Sequence, residues 1–415
     1  MSDAPATDSS PGDLPATESS ATDPPAGSSS AADRPATAPP TTDSSASYKA
    51  AGVDYDALDA GKRAAMARAL ATSSLLAGRG GQARDASRGE PAFVFDLDGR
   101  SFAFVVEGLG TKSILARLVY ERHGSNRFAD VAYDTVAAIL NDLACVGALP
   151  LVVNAYFATG ASEWYLQSDR AAALLEGWQQ ACLDAGCTWG GGESPSLAGL
   201  VSAEDIELAG AAVGAVPPGR APILGEDLQA GDEIVLVASS GLHANGASLA
   251  RLVADRLPEG YATLLPGGRA LGEALLDPSV MYVPLVEALR ESELRISYLS
   301  HITGHGLLKL MRPPRAFSYR ISALPPVPEV LAFLADKAGL DAHAAYSTFN
   351  MGSGYAVYCA GGSGGEVVAI ARRLGLQALV AGSVQDGPRR VIVEPIGVVY
   401  DGSELEFAAS PAPSG

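Results

Sequence analysis

Between Asp130 and Gly160 the apolar spacing changes period once, and the two periods define the elements around which the chain is organised. Val136, Ile139, Leu140 and Leu143 recur at three- and four-residue intervals, which predicts a helix with one apolar face. Gly147 and Pro150 mark its end, and Leu151, Val152 and Val153 then read as a buried strand. On the helix, Asp134 and Asn141 are nearly two turns apart, so they share a stripe, with Asp142 beside them. A stripe of carboxylate and amide groups is either a solvated face or a set of oxygen ligands. Mg²⁺ takes one or two carboxylates completed by the phosphates of a bound substrate.

The same patterning places the other elements. The run SYKAAGVDYDALDAGK, followed by Met66, Ala69 and Leu70, suits an extended lead-in and a short helix. Ala92 to Phe95 and Phe102 to Val106 form a hairpin turned by Asp98-Gly99. The second strand runs into Glu107-Gly108-Leu109-Gly110-Thr111-Lys112, where glycines let backbone amides approach a phosphate and Lys112 adds a point charge. The spacing is not that of a Walker A loop. Asp169 is expected to cap a helix that buries Ala171, Leu174, Leu175, Trp178 and Cys182 and ends at Gly186. A strand then delivers Gly190-Gly191-Gly192-Glu193, and another covers Leu208 to Val216, before the linker Pro217-Pro218-Gly219. Beyond it come a strand from Glu233 to Ala238, a small-residue turn with His243 and Asn245, and a helix from Ala247 to Leu257. Such a turn at a helix N-terminus suits an anion, although a lone histidine there is more often structural. His301 to Gly306 precede an apolar helix, Leu307 to Met311; Thr348 to Gly354 precede the strand Tyr355 to Cys359; Val391 to Glu394 is the final β segment. Strands and helices alternate in both halves, an α/β or α+β pattern.

Composition removes some possibilities. A net charge of −18 over 415 residues makes a nucleic-acid or anionic-membrane surface an unsuitable general reading. No run has the roughly 18 consecutive apolar residues of a membrane span. Cys145, Cys182, Cys187 and Cys359 lack C-x-x-C pairing and read as buried free thiols of a cytoplasmic protein, a Cys182–Cys187 bridge being the alternative. In residues 1–47, Asp3, Asp13, Asp23, Asp33 and Asp43 recur every ten positions, and seven acidic residues face Arg34 alone. With almost no large apolar side chains, this segment is expected to be a disordered spacing tail.

The run NDLACVGALPLVVNAYFATG resembles the NDL-x-x-x-GA-x-P…YFATG segment of the phosphoribosylformylglycinamidine cyclo-ligase family, the aminoimidazole ribonucleotide synthetases. The similarity continues in order through SYKAAGVDYDA, GTK, GGE, LAGAAVG, SGLHANGASL, DPSVMYV, HITGHG and TFNMGSG, from Ser47 to Pro395. The resemblance implies a two-domain α/β fold (residues 48–216 and 217–400, with 401–415 a tail), the first domain forming a β-barrel with its twin in a homodimer and the second an α/β sandwich. It implies a ribonucleotide substrate, ATP and Mg²⁺, and ring closure of formylglycinamidine ribonucleotide with release of ADP and phosphate. It gives Lys112, Asp142 and His243 catalytic roles, and places Gly108, Gly110, Thr111, Lys112, Asp134, Asn141, Gly191, Gly192 and Glu193 at ATP. His243, Asn245, Thr303, Gly304 and Asn350 would meet the substrate, and Glu107, Asp142 and Glu193 the metal. The chain departs from the family pattern where Glu107 replaces aspartate, Ser196 glutamate, Ala155 an acid, Ala161 lysine and His305 glycine. A paralogous ATP-dependent enzyme of the same superfamily acting on another amide or small-molecule substrate, and a non-catalytic nucleotide-binding partner, are the competing expectations.

Overall fold

The computed structural model describes residues 55–405. The expected tail, the segment around Tyr48 and residues 406–415 lie outside them. A helix, α1 (Tyr55–Leu70), is followed by the strands β1 (Gly81–Ala83), β2 (Phe93–Leu97) and β3 (Arg100–Gly108). Asp98 and Gly99 take φ of 50° and 75°, the left-handed pair that a two-residue hairpin turn demands. Then come α2 (Lys112–His123), α3 (Phe128–Ala144), β4 (Leu149–Thr159), α4 (Ser168–Asp184), β5 (Thr188–Glu193) and β6 (Ile206–Ala215). The six strands form one sheet in the order β1-β2-β3-β6-β4-β5, antiparallel except for the β4–β5 pair.

One face of this sheet carries α3. Six of the ten residues of β6 are alanine or glycine, and its two glycines lie where the helix presses onto the strand: a Cβ on Gly210 would lie 2.8 Å from Ile139 Cδ1, and one on Gly214 would lie 2.5 Å from Leu143 Cδ2. Helix α4 packs beside α3, burying Leu174 and Trp178. Its start differs from expectation. Gln167 is the N-cap residue, and Asp169 instead accepts a hydrogen bond from the Tyr120 hydroxyl. Pro150 also departs from its expected role as a stop, because it lies inside β4, where the register shifts between Pro150 and Val152. Proline cannot donate to a ladder, and a local irregularity is the usual way a strand accommodates it.

The second half holds β7 (Glu233–Ala238), α5 (Ala247–Arg256), α6 (Leu271–Leu275), α7 (Val283–Glu291), β8 (Ile296–His301) and β9 (Phe317–Ile321). It continues with α8 (Glu329–Ala338), α9 (Ala342–Thr348), β10 (Ser353–Cys359), α10 (Gly364–Arg373), β11 (Ala378–Asp386), β12 (Arg390–Val393) and β13 (Val398–Asp401). Its seven-stranded sheet runs β13-β12-β9-β11-β7-β10-β8, antiparallel except for β12 beside β9. The segment expected to end the fold, Val391 to Glu394, is followed by β13, which pairs with β12. Residues 306–311 form a 3₁₀ turn instead of an α-helix.

Helix α3 joins the two halves. It packs on β3 and β6 on one side and on α7 and β8 on the other, so it is buried almost all round. Its polar stripe is therefore not solvated. Asp134, Asn141 and Asp142 are all buried, which leaves each in need of a partner.

Candidate functional site

The partners come from the second half of the chain. Asn141 Oδ1 accepts the Tyr282 amide at 2.7 Å, and its Nδ2 donates to the Val280 carbonyl at 2.9 Å. Asp134 Oδ1 accepts the Ser279 amide at 2.6 Å, and its Oδ2 pairs with Lys112 Nζ at 2.5 Å. Lys112 is the first residue of α2, and both members of the ion pair have fully buried side chains. Thus Asp134 and Asn141 clamp the Ser279–Tyr282 backbone, and Lys112 neutralises the clamp. The residue ahead of it, Thr111, shares a 2.8 Å hydrogen bond with Ser248 of α5.

Asp142 turns to the second sheet. Its Oδ1 lies 2.7 Å from Nδ1 of His301, the last residue of β8, across 159 positions of sequence. Burial on its own would raise the Asp142 carboxyl. The hydrogen bond from His301 and the charges of His301, Lys309 and Arg312 outweigh it and hold the group below the usual carboxylate range. The His301 ring packs against the pair Tyr282 and Tyr355, with centroids 6.3 and 6.1 Å away. Tyr282 itself donates to the Ala238 carbonyl at 2.8 Å and crosses the backbone at Gly354, where any Cβ would collide with its hydroxyl.

His243 sits in the turn after β7 with φ 59°, and its ring is 6.4 Å from Tyr282. Its Nε2 lies 3.2 Å from the Ser240 amide nitrogen and 3.0 Å from Ser240 Oγ, and its buried Nδ1 has no partner among the described residues. Burial, reinforced by the charges of His301 and Lys112, pushes its pKa well below the usual value, so it is neutral near pH 7. Asn350 braces the same turn: Oδ1 accepts from Ser239 Oγ (2.7 Å) and the Gly352 amide (3.0 Å), and Nδ2 donates to the Gly241 carbonyl (2.8 Å). Asn245 is exposed, and Thr303 and Gly304 are half-buried in the loop after β8, where His305 takes φ 71°.

Three groups at this seam between the sheets were not singled out from sequence. His301 stood only within a motif. Lys309 and Arg312 gave a weaker signal, charges inside or just after the apolar run Leu307 to Met311. Lys309 is buried; that burial, helped by the charge of Arg312, lowers its pKa to about 8, against the opposing pull of Asp142 and Glu107. Glu107, exposed at the end of β3, is thus close to the seam, beside the loop with Gly108 and Gly110. Gly191, Gly192 and Glu193 lie elsewhere, on the edge strand β5; Gly191 has φ 121°, and exposed Glu193 accepts the Ser194 amide at 3.1 Å. Among the described residues, no three His, Cys, Asp or Glu side chains converge as a metal cage. Glu107, Asp142 and Glu193, expected at the metal, are not gathered into such a cluster among the described residues, and Asp142 is engaged by His301. The four cysteines are free and buried.

Two relatives decide the affiliation. The phosphoribosylformylglycinamidine cyclo-ligase of Carboxydothermus hydrogenoformans is 31% identical over 357 residues, covering 84% of this chain and 98% of that one. The enzyme of the same name from Anaeromyxobacter sp. is 34% identical over 368 residues, covering 85% and 99%. The chain belongs to this cyclo-ligase family. In agreement, the family described as AIR synthase related protein matches with its N-terminal domain at residues 89–216 and its C-terminal domain at 229–394. Among solved structures, the hydrogenase maturation protein HypE in complex with ATP superposes with a TM-score of 0.53 at 18% identity, covering 74% of this chain and 85% of that one. AaThiL complexed with AMPPCP and TMP gives 0.50 at 16%, covering 75% and 89%. These likenesses establish a shared two-domain α/β fold. No helix among the described residues is long and apolar enough to cross a membrane.

Proposed function

We propose that the chain closes formylglycinamidine ribonucleotide to aminoimidazole ribonucleotide, using ATP and releasing ADP and phosphate, a step of purine biosynthesis. The observation that carries this reading is 31–34% identity along nearly the whole length of enzymes named for that reaction. The formyl oxygen takes the γ-phosphoryl group of ATP, and an amidine nitrogen of the same molecule attacks the activated carbon. The new carbon–nitrogen bond forms, the carbon–oxygen bond breaks, phosphate departs and the nitrogen gives up a proton. Because the attack is intramolecular, much of the protein's work is to hold one conformer and stabilise charge.

The seam offers groups for that work. Asp142 fixes the His301 ring through Nδ1, leaving Nε2 without a hydrogen-bond partner among the described residues. Nδ1 of His243 is likewise unpartnered, and Lys309 and Arg312 add positive charge beside Asp142. We read His301 and His243 as substrate contacts and Asp142 as a positioning residue. Magnesium enters as the counter-ion of the nucleotide phosphates, part of the substrate, and needs one or two protein carboxylates; Glu107 is the exposed carboxylate beside the seam.

The assembly is proposed to be a homodimer through the face of the first sheet opposite α3. Phe93, Phe95, Phe102, Phe104 and Val106 alternate onto that face, joined by Tyr156, with Val106 63% and Phe104 42% exposed. An apolar sheet face of this kind marks an association surface.

The test is purified protein with the ribonucleotide, ATP and Mg²⁺, assayed for aminoimidazole and ADP. Stoichiometric formation of both supports the reading. ATP binding without ring closure would leave family membership intact and overturn the substrate.

A further inference from the structure

Arg290, in the last turn of α7, differs from several other arginines of the fold. Arg117, Arg127, Arg269 and Arg295 each meet a carboxylate directly. Arg290 meets none among the described residues: its Nη2 donates to the Ala221 carbonyl at 2.8 Å, and its buried Nε has no partner. Burial, and then the like charge of Arg220, lower its pKa to about 10, with no carboxylate opposing them. Arg220 is itself weakly neutralised. Its guanidinium donates to the Ser292 carbonyl at 2.8 Å, and its nearest carboxylate is Glu293, 3.9 Å away and 99% exposed. Both arginines line a cleft of about 290 Å³ between the linker and the start of β8, which exposed Glu226 and Asp227 also line without offsetting the charge of Arg290. The third arginine there, Arg295, is committed to Asp232.

A half-buried guanidinium beside a second one, in a chain with net charge −18, is an expensive arrangement unless something supplies the missing negative charge. We propose that Arg220 and Arg290 form a binding site for a phosphate group, carried by inorganic phosphate or a small phosphomonoester, distinct from the seam at Asp142. Guanidinium forks match the tetrahedral oxyanion through paired N–H donors, and the cleft has room for a sugar phosphate. The site is tied to the rest of the fold. A Cβ on Gly147 would lie 3.5 Å from Arg290 Cζ and 2.9 Å from Ile223 Cγ1, so the guanidinium packs on the turn that ends α3. An anion drawing the two arginines together would brace the linker against the helix that carries Asp142.

The experiment is thermal unfolding of the full chain in phosphate-free buffer and with increasing inorganic phosphate, ribose 5-phosphate or sulfate. Wild type, Arg220→Met, Arg290→Met, the double variant and His243→Ala are compared. The wild type should show a rise of about 2 °C for each tenfold of ligand above its dissociation constant. That rise should vanish in the double variant and persist in His243→Ala, which disables the seam instead. Arg290→Met should melt no lower than wild type without phosphate, because it removes an uncompensated charge. If that variant fails to fold, exposed Arg220→Met carries the test by weakening the response at least severalfold. A larger response to ribose 5-phosphate than to phosphate assigns the monoester, and the reverse assigns the free ion. A rise equally large in the double variant is general salt stabilisation and overturns the site, as does a wild type that does not respond. The outcome is independent of ring closure, since no turnover is measured.

Discussion

Lys112→Met separates two roles for one lysine. If Lys112 serves chiefly to neutralise Asp134, the substitution leaves a carboxylate with a fully buried side chain that keeps only the Ser279 amide as a close partner. Breaking a buried pair from one side costs about 3–5 kcal/mol. With an unfolding entropy of about 2.1 cal/mol/K per residue, a folded region of roughly 350 residues loses about 4–7 °C of Tm. Lys112→Met/Asp134→Asn removes the stranded charge, while the asparagine oxygen can still accept from Ser279, so much of the loss should return. Urea melts and calorimetry of wild type, the two single variants and the double variant give the coupling between the sites. A phosphate-contacting lysine predicts the opposite pattern: a small change in Tm, a large loss of ATP affinity and no recovery in the double variant. That pattern would refute the ion-pair account of Lys112.

Asp142→Asn should weaken the fold at neutral pH, because a carboxyl held below its unfolded value contributes stability above about pH 4 that fades as pH falls through the folded value. Urea melts from pH 7 to pH 3 should therefore show the gap between variant and wild type closing, and a pH-independent gap would count against the His301 bond. Lys309, with its pKa lowered to about 8, leaves the unfolded chain binding more protons between about pH 8 and 10, so stability should rise over that interval. In Lys309→Met that part of the rise should disappear, and its persistence would assign it to other groups. Val106→Asp places a charge on the apolar sheet face and should shift sedimentation from dimer to monomer; an unchanged dimer would move the interface elsewhere. His301→Gln should reduce kcat at least tenfold with the fold retained, and turnover within about twofold would remove His301 from the substrate contacts.

The local elements were legible because their causes are local. The period of Val136, Ile139, Leu140 and Leu143 recovers α3; Asp98-Gly99 makes the hairpin; and the apolar run from Glu233 to Ala238 is β7, bounded as expected. Resemblance in ordered motifs carried the fold and the family, which the cyclo-ligase relatives support over most of the chain. What the stripe on α3 does was not legible. A polar stripe looks the same in one dimension whether it meets water, a ligand or another part of the protein. Only the docking of α7 and β8 gave Asp134 and Asn141 the Ser279–Tyr282 backbone, and gave Asp142 an imidazole 159 residues away. The same is true of charge: sequence counts an arginine at 290 and a lysine at 309, but tertiary packing decides which carboxylates reach them. Periodicity belongs to the backbone and is fixed by neighbours in sequence. Partnership of buried polar groups depends on which faces meet, and that is settled by the packing of the whole chain.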